Sequence, residues 1–169
     1  MHSDDVRATT APFVVRRGGT RLADAMVDIK ATRTDSAGAV TVSEFVLPAW
    51  SPGPVLHVHE AVDEAVYVLS GRLDMQLGEE RFFLAAGDFV WMPRGLVHGF
   101  SCASDEALRG LALAVPGGLE TMFCEQAAYL GSVGDAVDPA ELDRIGRRHG
   151  ARTLGPPLAP RREDHPGEG

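Results

Sequence analysis

Short apolar runs that alternate with polar residues fill the first two thirds of the chain. EAVYVLSG at 64–71 is rich in β-branched and aromatic residues, and RLDMQLGEERFFLAAG at 72–87 predicts a hairpin with Gly78 near its tip. Further extended pieces are predicted within 21–50 and in DFVWMP, VHGFSC and RGLALAV. Many short strands with glycine and proline between them predict an all-β sandwich or barrel rather than alternating strands and helices.

Helical periodicity is seen only towards the C-terminal end. Residues 117–131 carry apolar side chains at close to helical spacing, and DPAELDRIGRRHG predicts a helix that Asp138 caps and Gly150 follows. Both helices are expected to pack against the outside of the β-core. The chain therefore divides into four predicted parts, which are a flexible arm at 1–12, a β-barrel domain at 13–131, a C-terminal helix at 132–155 and a disordered tail at 156–169.

Composition and charge narrow the class of protein. The 169 residues have a net charge of −8, with 44% hydrophobic and 24% charged residues, which is the composition of one globular domain. The chain lacks the basic face of a nucleic-acid-binding protein and a run of about 18 apolar residues that could span a membrane. Its first residues do not resemble a secretory signal, and two cysteines make no disulfide framework. We therefore expect a soluble, cytoplasmic protein with no nucleic-acid or membrane partner.

A histidine-rich stretch, HVHEAVDE at 57–64, contains the first candidate functional residues. His57 and His59 lie on the same side of an extended chain, because side chains two apart share a strand face. Glu64 opens the next strand, and His98 begins a later one. Three neutral imidazoles and one carboxylate that meet inside a barrel would form a divalent metal site, since coordination satisfies all four groups.

Other titratable residues compete with this assignment. Glu60 and Asp63 are alternative carboxylate ligands, although we expect both to lie on the surface of a turn. The three remaining histidines fall on the arm, at a helix end and on the tail, and are expected to face solvent: His2, His149 and His165.

The spacing of these residues resembles the two motifs of the cupin superfamily. HVHEAVDEAVYVLSG fits the first motif through His57, His59, Glu64 and a closing glycine, and GDFVWMPRGLVHGFSC fits the second through His98 and its turn residues. The spacing to the glycine at 71 favours Glu64 over its two competitors. The turn positions of the motifs are Gly71, Gly87, Pro93 and Gly95.

Two departures from the family pattern are visible, and neither removes a metal ligand. Three residues separate Gly53 from His57 instead of the usual five, and Cys102 replaces an asparagine that often follows the last histidine. The short stretch between the motifs and the C-terminal residues are similar to those of single-domain cupins related to quercetin 2,3-dioxygenase.

This resemblance implies a jelly-roll β-sandwich with C-terminal helices outside it, and a divalent transition metal held by His57, His59, Glu64 and His98. The metal is one of Fe, Mn, Co, Ni, Cu and Zn, among which the ligand set does not choose. Strand alternation from these ligands predicts a largely apolar pocket, suited to an aromatic small molecule. The predicted pocket residues are Val55, Val66, Val68, Phe100 and Cys102.

Three functions follow from the resemblance. The first is a metal-dependent dioxygenase that acts on a flavonoid-like or polyketide-like aromatic, with Glu64 as the general base. The second is an oxygen-independent isomerase or polyketide cyclase that uses the same metal site, and the third is a non-catalytic small-molecule-binding protein. The open edges of a β-sandwich also lead us to expect a homodimer.

Overall fold

A computed structural model describes residues 11–22, 26–134 and 136–162 of the chain. Within this described part, ten strands and two helices follow one another, with the helices between the ninth and tenth strands. Their bounds are β1 Asp28–Ala31, β2 Thr41–Leu47, β3 Val55–His59, β4 Asp63–Ser70, β5 Arg72–Leu77, β6 Glu80–Ala85, β7 Phe89–Met92, β8 His98–Cys102, β9 Leu108–Val115, α1 Leu119–Val133, α2 Pro139–Arg148 and β10 Ala151–Pro157.

The strands form two antiparallel sheets of five. The first sheet has the order β1-β2-β9-β4-β7, and the second has the order β10-β3-β8-β5-β6. Successive strands such as β2, β3 and β4 alternate between the sheets, so that the connections cross from one layer to the other. The prediction of an all-β jelly-roll sandwich is confirmed.

Strand alternation directs apolar side chains into the space between the sheets. In β4, Val66 and Val68 are buried, whereas Tyr67 and Leu69 remain on the outer face. One end of the interior is tightly filled, because Leu73 from β5 and Leu108 from β9 pack with Val68 there. The other end stays open and holds the histidines.

The two helices cover this open end from outside the sheets, as predicted. Ile145 of α2 packs with Ala114 of β9 and Ala151 of β10. The Asp138 side chain caps α2 by accepting a hydrogen bond from the Ala140 backbone N–H at 2.9 Å. Among the described residues, no helix has the length and apolar character that crossing a membrane requires.

The structure corrects the predicted C-terminal boundaries. Residues 132–155 are not one helix, because α2 ends at Arg148 and Ala151–Pro157 forms β10 against β3. This pairing also places the first residues of the predicted disordered tail in a strand, although Gly155 and the prolines after it have poor strand propensity. The backbone hydrogen bonds between β10 and β3 outweigh this low strand propensity. Residues 1–10 of the predicted arm and residues 163–169 of the predicted tail lie outside the described residues.

Candidate metal centre

Three strands bring the predicted ligands together. His57 and His59 come from β3, and His98 begins β8 directly opposite His57 in the same sheet. Glu64 comes from β4 in the facing sheet. Because all four side chains point between the layers, residues from distant parts of the chain meet at one place.

The four side chains form a compact cluster. One ligand atom from each residue lies within 4.8 Å of those of the other three. Glu64 Oε2 is 2.9 Å from His98 Nε2 and 3.2 Å from His59 Nε2. The cluster therefore has the size and the donor atoms of a site for a single transition-metal ion.

Backbone carbonyl groups orient two of the rings. His57 Nδ1 donates to the Val55 carbonyl oxygen at 2.7 Å, and His98 Nδ1 donates to the Leu96 carbonyl oxygen at 3.0 Å. Because a carbonyl oxygen can only accept, Nδ1 carries a proton in both rings, and Nε2 is the nitrogen that can bind a metal once it is deprotonated. This outer hydrogen bond is the usual support of a metal-binding histidine.

Burial and neighbouring charges shift the pKa values of the cluster. Burial, with the charges of His98 and His59, lowers the pKa of His57 to about 4, and burial also lowers the pKa of His59. Burial opposes ionisation of Glu64, but His59 and the hydrogen bond from His98 outweigh it and lower the pKa of Glu64 to about 2. For His98, burial is outweighed by the hydrogen bond to Glu64, and its pKa rises. Neutral His57 beside ionised Glu64 suits a cation, and the donor set fits a divalent metal.

The two competing carboxylates form ion pairs outside the cluster. Glu60 pairs with Arg152 at 2.8 Å, and Asp63 pairs with Arg94 at 2.7 Å. Neither side chain belongs to the cluster, so Glu64 is the carboxylate that joins the histidines. His149 contacts Glu125 near the end of α2, away from the cluster, whereas His2 and His165 lie outside the described residues.

The cluster lines a cavity of about 640 Å³ with mainly apolar walls. Val55, Val66 and Phe100 line it, as strand alternation predicts. The cavity has the size of sites that bury small organic ligands.

Two predicted pocket residues, Val68 and Cys102, do not line this cavity. Both have no exposed surface and belong to the filled end of the interior. They do point between the sheets, as alternation requires, but they lie deeper than Phe100 and are covered by packed side chains. Strand alternation therefore predicted the correct face of the sheet for both residues, but not how deep they lie between the two sheets.

Several cavity residues were missed by the sequence analysis. Those on β2 follow the same alternation rule that was applied to β4, and that rule could have found them. Those on the helices and β10 depend on tertiary docking, for which the sequence carries no local signal. The missed residues include Ser43, Phe45, Leu47, Met122, Phe123, Gln126, Leu142 and Thr153.

Comparison with known proteins agrees with this geometry. Residues 44–114 match the family described as the cupin domain. Over 63 residues the chain is 36% identical to quercetin 2,3-dioxygenase of Bacillus subtilis. This aligned region covers 36% of this chain and only 19% of that enzyme. The match thus spans about a fifth of the relative's length.

Solved structures with a similar fold include two cupins. A cupin protein from Bacteroides fragilis is 25% identical, with a TM-score of 0.48, over 60% of this chain and 86% of that one. A sugar phosphate isomerase from a cupin superfamily of Silicibacter pomeroyi is 23% identical, with a TM-score of 0.44, over 50% of this chain and 56% of that one.

Proposed function

We propose, from the premise that this chain belongs to the cupin superfamily, that it is a metal-dependent oxidoreductase of the dioxygenase type. Its substrate is an aromatic, flavonoid-like or polyketide-like small molecule. The observation that carries the proposal is a cluster of three histidines and one glutamate in the wall of an apolar cavity. The quercetin dioxygenase similarity supports the reaction class.

His57, His59, Glu64 and His98 would hold the metal. When bound, a divalent transition metal supplies Lewis acidity and redox chemistry at this end of the cavity. Four protein ligands leave about two positions open on an ion that prefers six, which is enough for a substrate and a second small reactant.

Glu64 is the proposed general base. Its Oε2 lies inside the cluster, 3.2 Å from His59 Nε2 and 2.9 Å from His98 Nε2, where a substrate held at the metal would present its acidic proton to this carboxylate. The other three ligands are imidazoles that are needed neutral for coordination. Glu64 is therefore the ligand with a negative charge to lose when a phenol or enol is deprotonated.

The remaining cavity residues bind the substrate and exclude water. Phe45 and Phe100 place aromatic rings against the space in front of the cluster, and Val55, Val66 and Met92 add aliphatic surface. Such a wall favours a planar apolar ligand whose few oxygen atoms face the cluster.

Metal analysis and oxygen consumption together test the proposal. The purified protein should contain one transition-metal ion per chain and should consume dioxygen with a phenolic substrate such as quercetin. Glu64→Gln should abolish turnover, whereas Glu60→Gln, which removes a carboxylate in the same stretch outside the cluster, should retain it. Absence of a stoichiometric metal would contradict the proposal.

The same experiment separates the two alternatives. Product formed under strict anaerobiosis would identify an isomerase or polyketide cyclase, for which proton transfer by Glu64 is sufficient. Tight binding without turnover of any substrate, unchanged by Glu64→Gln, would identify a non-catalytic binding protein.

Two predictions about the whole protein accompany this function. We propose that the chain forms a homodimer, since β1 and β7 leave the edges of one sheet open. Light scattering should then give twice the chain mass of 18.0 kDa, and the monomer mass would contradict it. A cytoplasmic location is likewise proposed, and fractionation of the producing cells would test it.

A further inference from the structure

Ser43 is a buried polar residue in an otherwise apolar part of the cavity wall. It lies on β2, is only 4% exposed, and lines the cavity that holds the histidine cluster. Its neighbours on the same inner face are Thr41 and Phe45, two residues away on either side. Valine or alanine would fill this position without burying a hydroxyl.

The Ser43 hydroxyl makes no side-chain hydrogen bond among the described residues, in contrast to that of Thr41, and it is not one of the fully enclosed atoms, so it keeps some surface towards the cavity. Thr41 Oγ1 donates to Glu120 and accepts from the Gly118 backbone N–H at 2.8 Å, so its burial is fully compensated. The Ser43 hydroxyl is therefore available to hydrogen-bond a molecule in the cavity, which an apolar side chain at this position could not do.

The sheet register places Ser43 at a definite distance from the cluster. Ser43 pairs with Ala112, and Ala112 pairs with Val66 on its other side, so that these residues form one row across the first sheet. Two strand spacings separate Ser43 from Val66, and Glu64 lies two residues before Val66 along β4, which gives roughly 10–12 Å between Ser43 and Glu64. The small side chains of Ala112 and Val66 lie between Ser43 and Glu64, and both line the cavity.

The aromatic residues beside Ser43 add a second constraint. Phe45 follows it on the same face and lies 5.2 Å, between ring centroids, from Phe100 of the facing sheet. A ligand that reaches Ser43 from the cluster therefore passes beside two aromatic rings, where flat conjugated molecules bind well.

We propose that Ser43 is a specificity-determining residue that hydrogen-bonds a second polar group of the substrate, far from the group at the metal. The inference rests on the proposed function, because it takes the cluster as the site of one substrate end. It narrows the substrate to an elongated aromatic molecule of two or three rings, whose two ends carry oxygen groups about 10 Å apart.

Binding of three related flavonols to zinc-loaded protein tests this proposal. Zinc has no redox chemistry, so binding is measured without oxygenation of the ligand. Flavonol has a hydroxyl beside its carbonyl, galangin adds hydroxyls on the fused ring, and kaempferol adds one more on the pendant ring. Isothermal titration calorimetry on the full chain gives the affinity step for each addition.

The wild-type protein should gain affinity at one of these additions, and Ser43→Ala should lose that gain, by about three- to tenfold. Its affinity for flavonol should not change. Ser43→Thr, which keeps the hydroxyl, should retain the gain. Ser101→Ala is the matched control, because Ser101 is also a buried strand serine without a hydrogen-bond partner among the described residues, but it does not line the cavity.

The outcomes separate this inference from the proposed function. If Ser43→Ala keeps the same affinity steps as the wild type, or if zinc-loaded wild type binds none of the three flavonols, the assignment of Ser43 is overturned while the metal site stands. If the chain takes up no zinc, measured by elemental analysis before titration, the proposed function fails and this inference fails with it.

Discussion

The rings of Phe45 and Phe100 lie 5.2 Å apart and join the two sheets across the interior of the sandwich. On one side of this pair is the cavity with the histidine cluster, and on the other is the filled end with Val68 and Cys102. The aromatic pair is therefore the floor of the cavity. The position of that floor determines which inward-facing residues can contact a ligand.

Gly110 fixes the position of Phe45, and Gly110→Ala should destabilise the protein. A Cβ at this position would clash with Cζ of the Phe45 ring, so the ring must move against a packed interior. We expect a loss of about 1–3 kcal/mol in the free energy of unfolding, measured by urea denaturation. Gly131→Ala is the control, because nothing lies within 4 Å of a Cβ on Gly131 in α1. An equally stable Gly110→Ala would show that the floor is not rigid.

Metal binding should raise the melting temperature. A ligand that binds only the folded chain, at a hundred times its Kd, adds about 2.7 kcal/mol of stability. For a chain of this size that corresponds to an increase of about 5–10 °C, which a chelator should reverse. The increase should vanish in His98→Ala and persist in His149→Ala, since His149 contacts Glu125 outside the cluster. Equal responses of both variants would contradict the assigned ligands.

The four ligands could be predicted from sequence because their pattern is local. His57 and His59 share a face through strand alternation, and motif spacing identifies Glu64 and His98. The Asp138 cap of α2 was equally readable, because capping involves neighbouring residues only.

The depth of each residue in the sandwich could not be predicted. Val68 alternates correctly with Val66, but side chains from β5 and β9 pack against Val68, and only Val66 lines the cavity. The strand β10 was missed for a related reason, because its stability comes from pairing with β3, almost one hundred residues earlier. These features depend on contacts between distant segments, which no local period encodes.

Cys102→Ala should change stability and not ligand binding. Cys102 has no exposed surface, and its Sγ donates to the Glu106 carbonyl oxygen at 3.4 Å. Loss of the buried sulfur should cost about 1–3 kcal/mol in unfolding free energy. The affinity of the zinc-loaded chain for flavonols should equal that of the wild type. A selective loss of flavonol affinity would place Cys102 in contact with the ligand and would contradict the position of the cavity floor.

Asp143 should make the docking of α2 sensitive to acid. The Arg147 side chain and the Thr153 backbone N–H both bond to Asp143, and these bonds lower the pKa of Asp143. A carboxylate whose folded pKa lies below its unfolded value stabilises the protein above about pH 4, and this contribution is lost as the pH falls. In Asp143→Asn, the drop in unfolding free energy between neutral pH and pH values of about 3 should therefore be smaller than in the wild type. Urea denaturation at both pH values checks this, and an unchanged drop would contradict it.

Asp74 holds the C-terminal segment at Arg161 against β5, and its replacement should lower the free energy of unfolding. This fully buried carboxylate of β5 accepts hydrogen bonds from Arg81 Nη2 at 2.7 Å and from Arg161 Nε at 3.1 Å. Asp74→Asn leaves both guanidinium groups without their anion, so we expect a loss of about 3 kcal/mol in urea unfolding. Arg161→Ala should cost less because Arg81 remains, and Arg162→Ala, whose side chain stacks on the half-buried ring of Trp50, should cost least. The reverse order would show that these residues do not attach the C-terminal segment to the sheet.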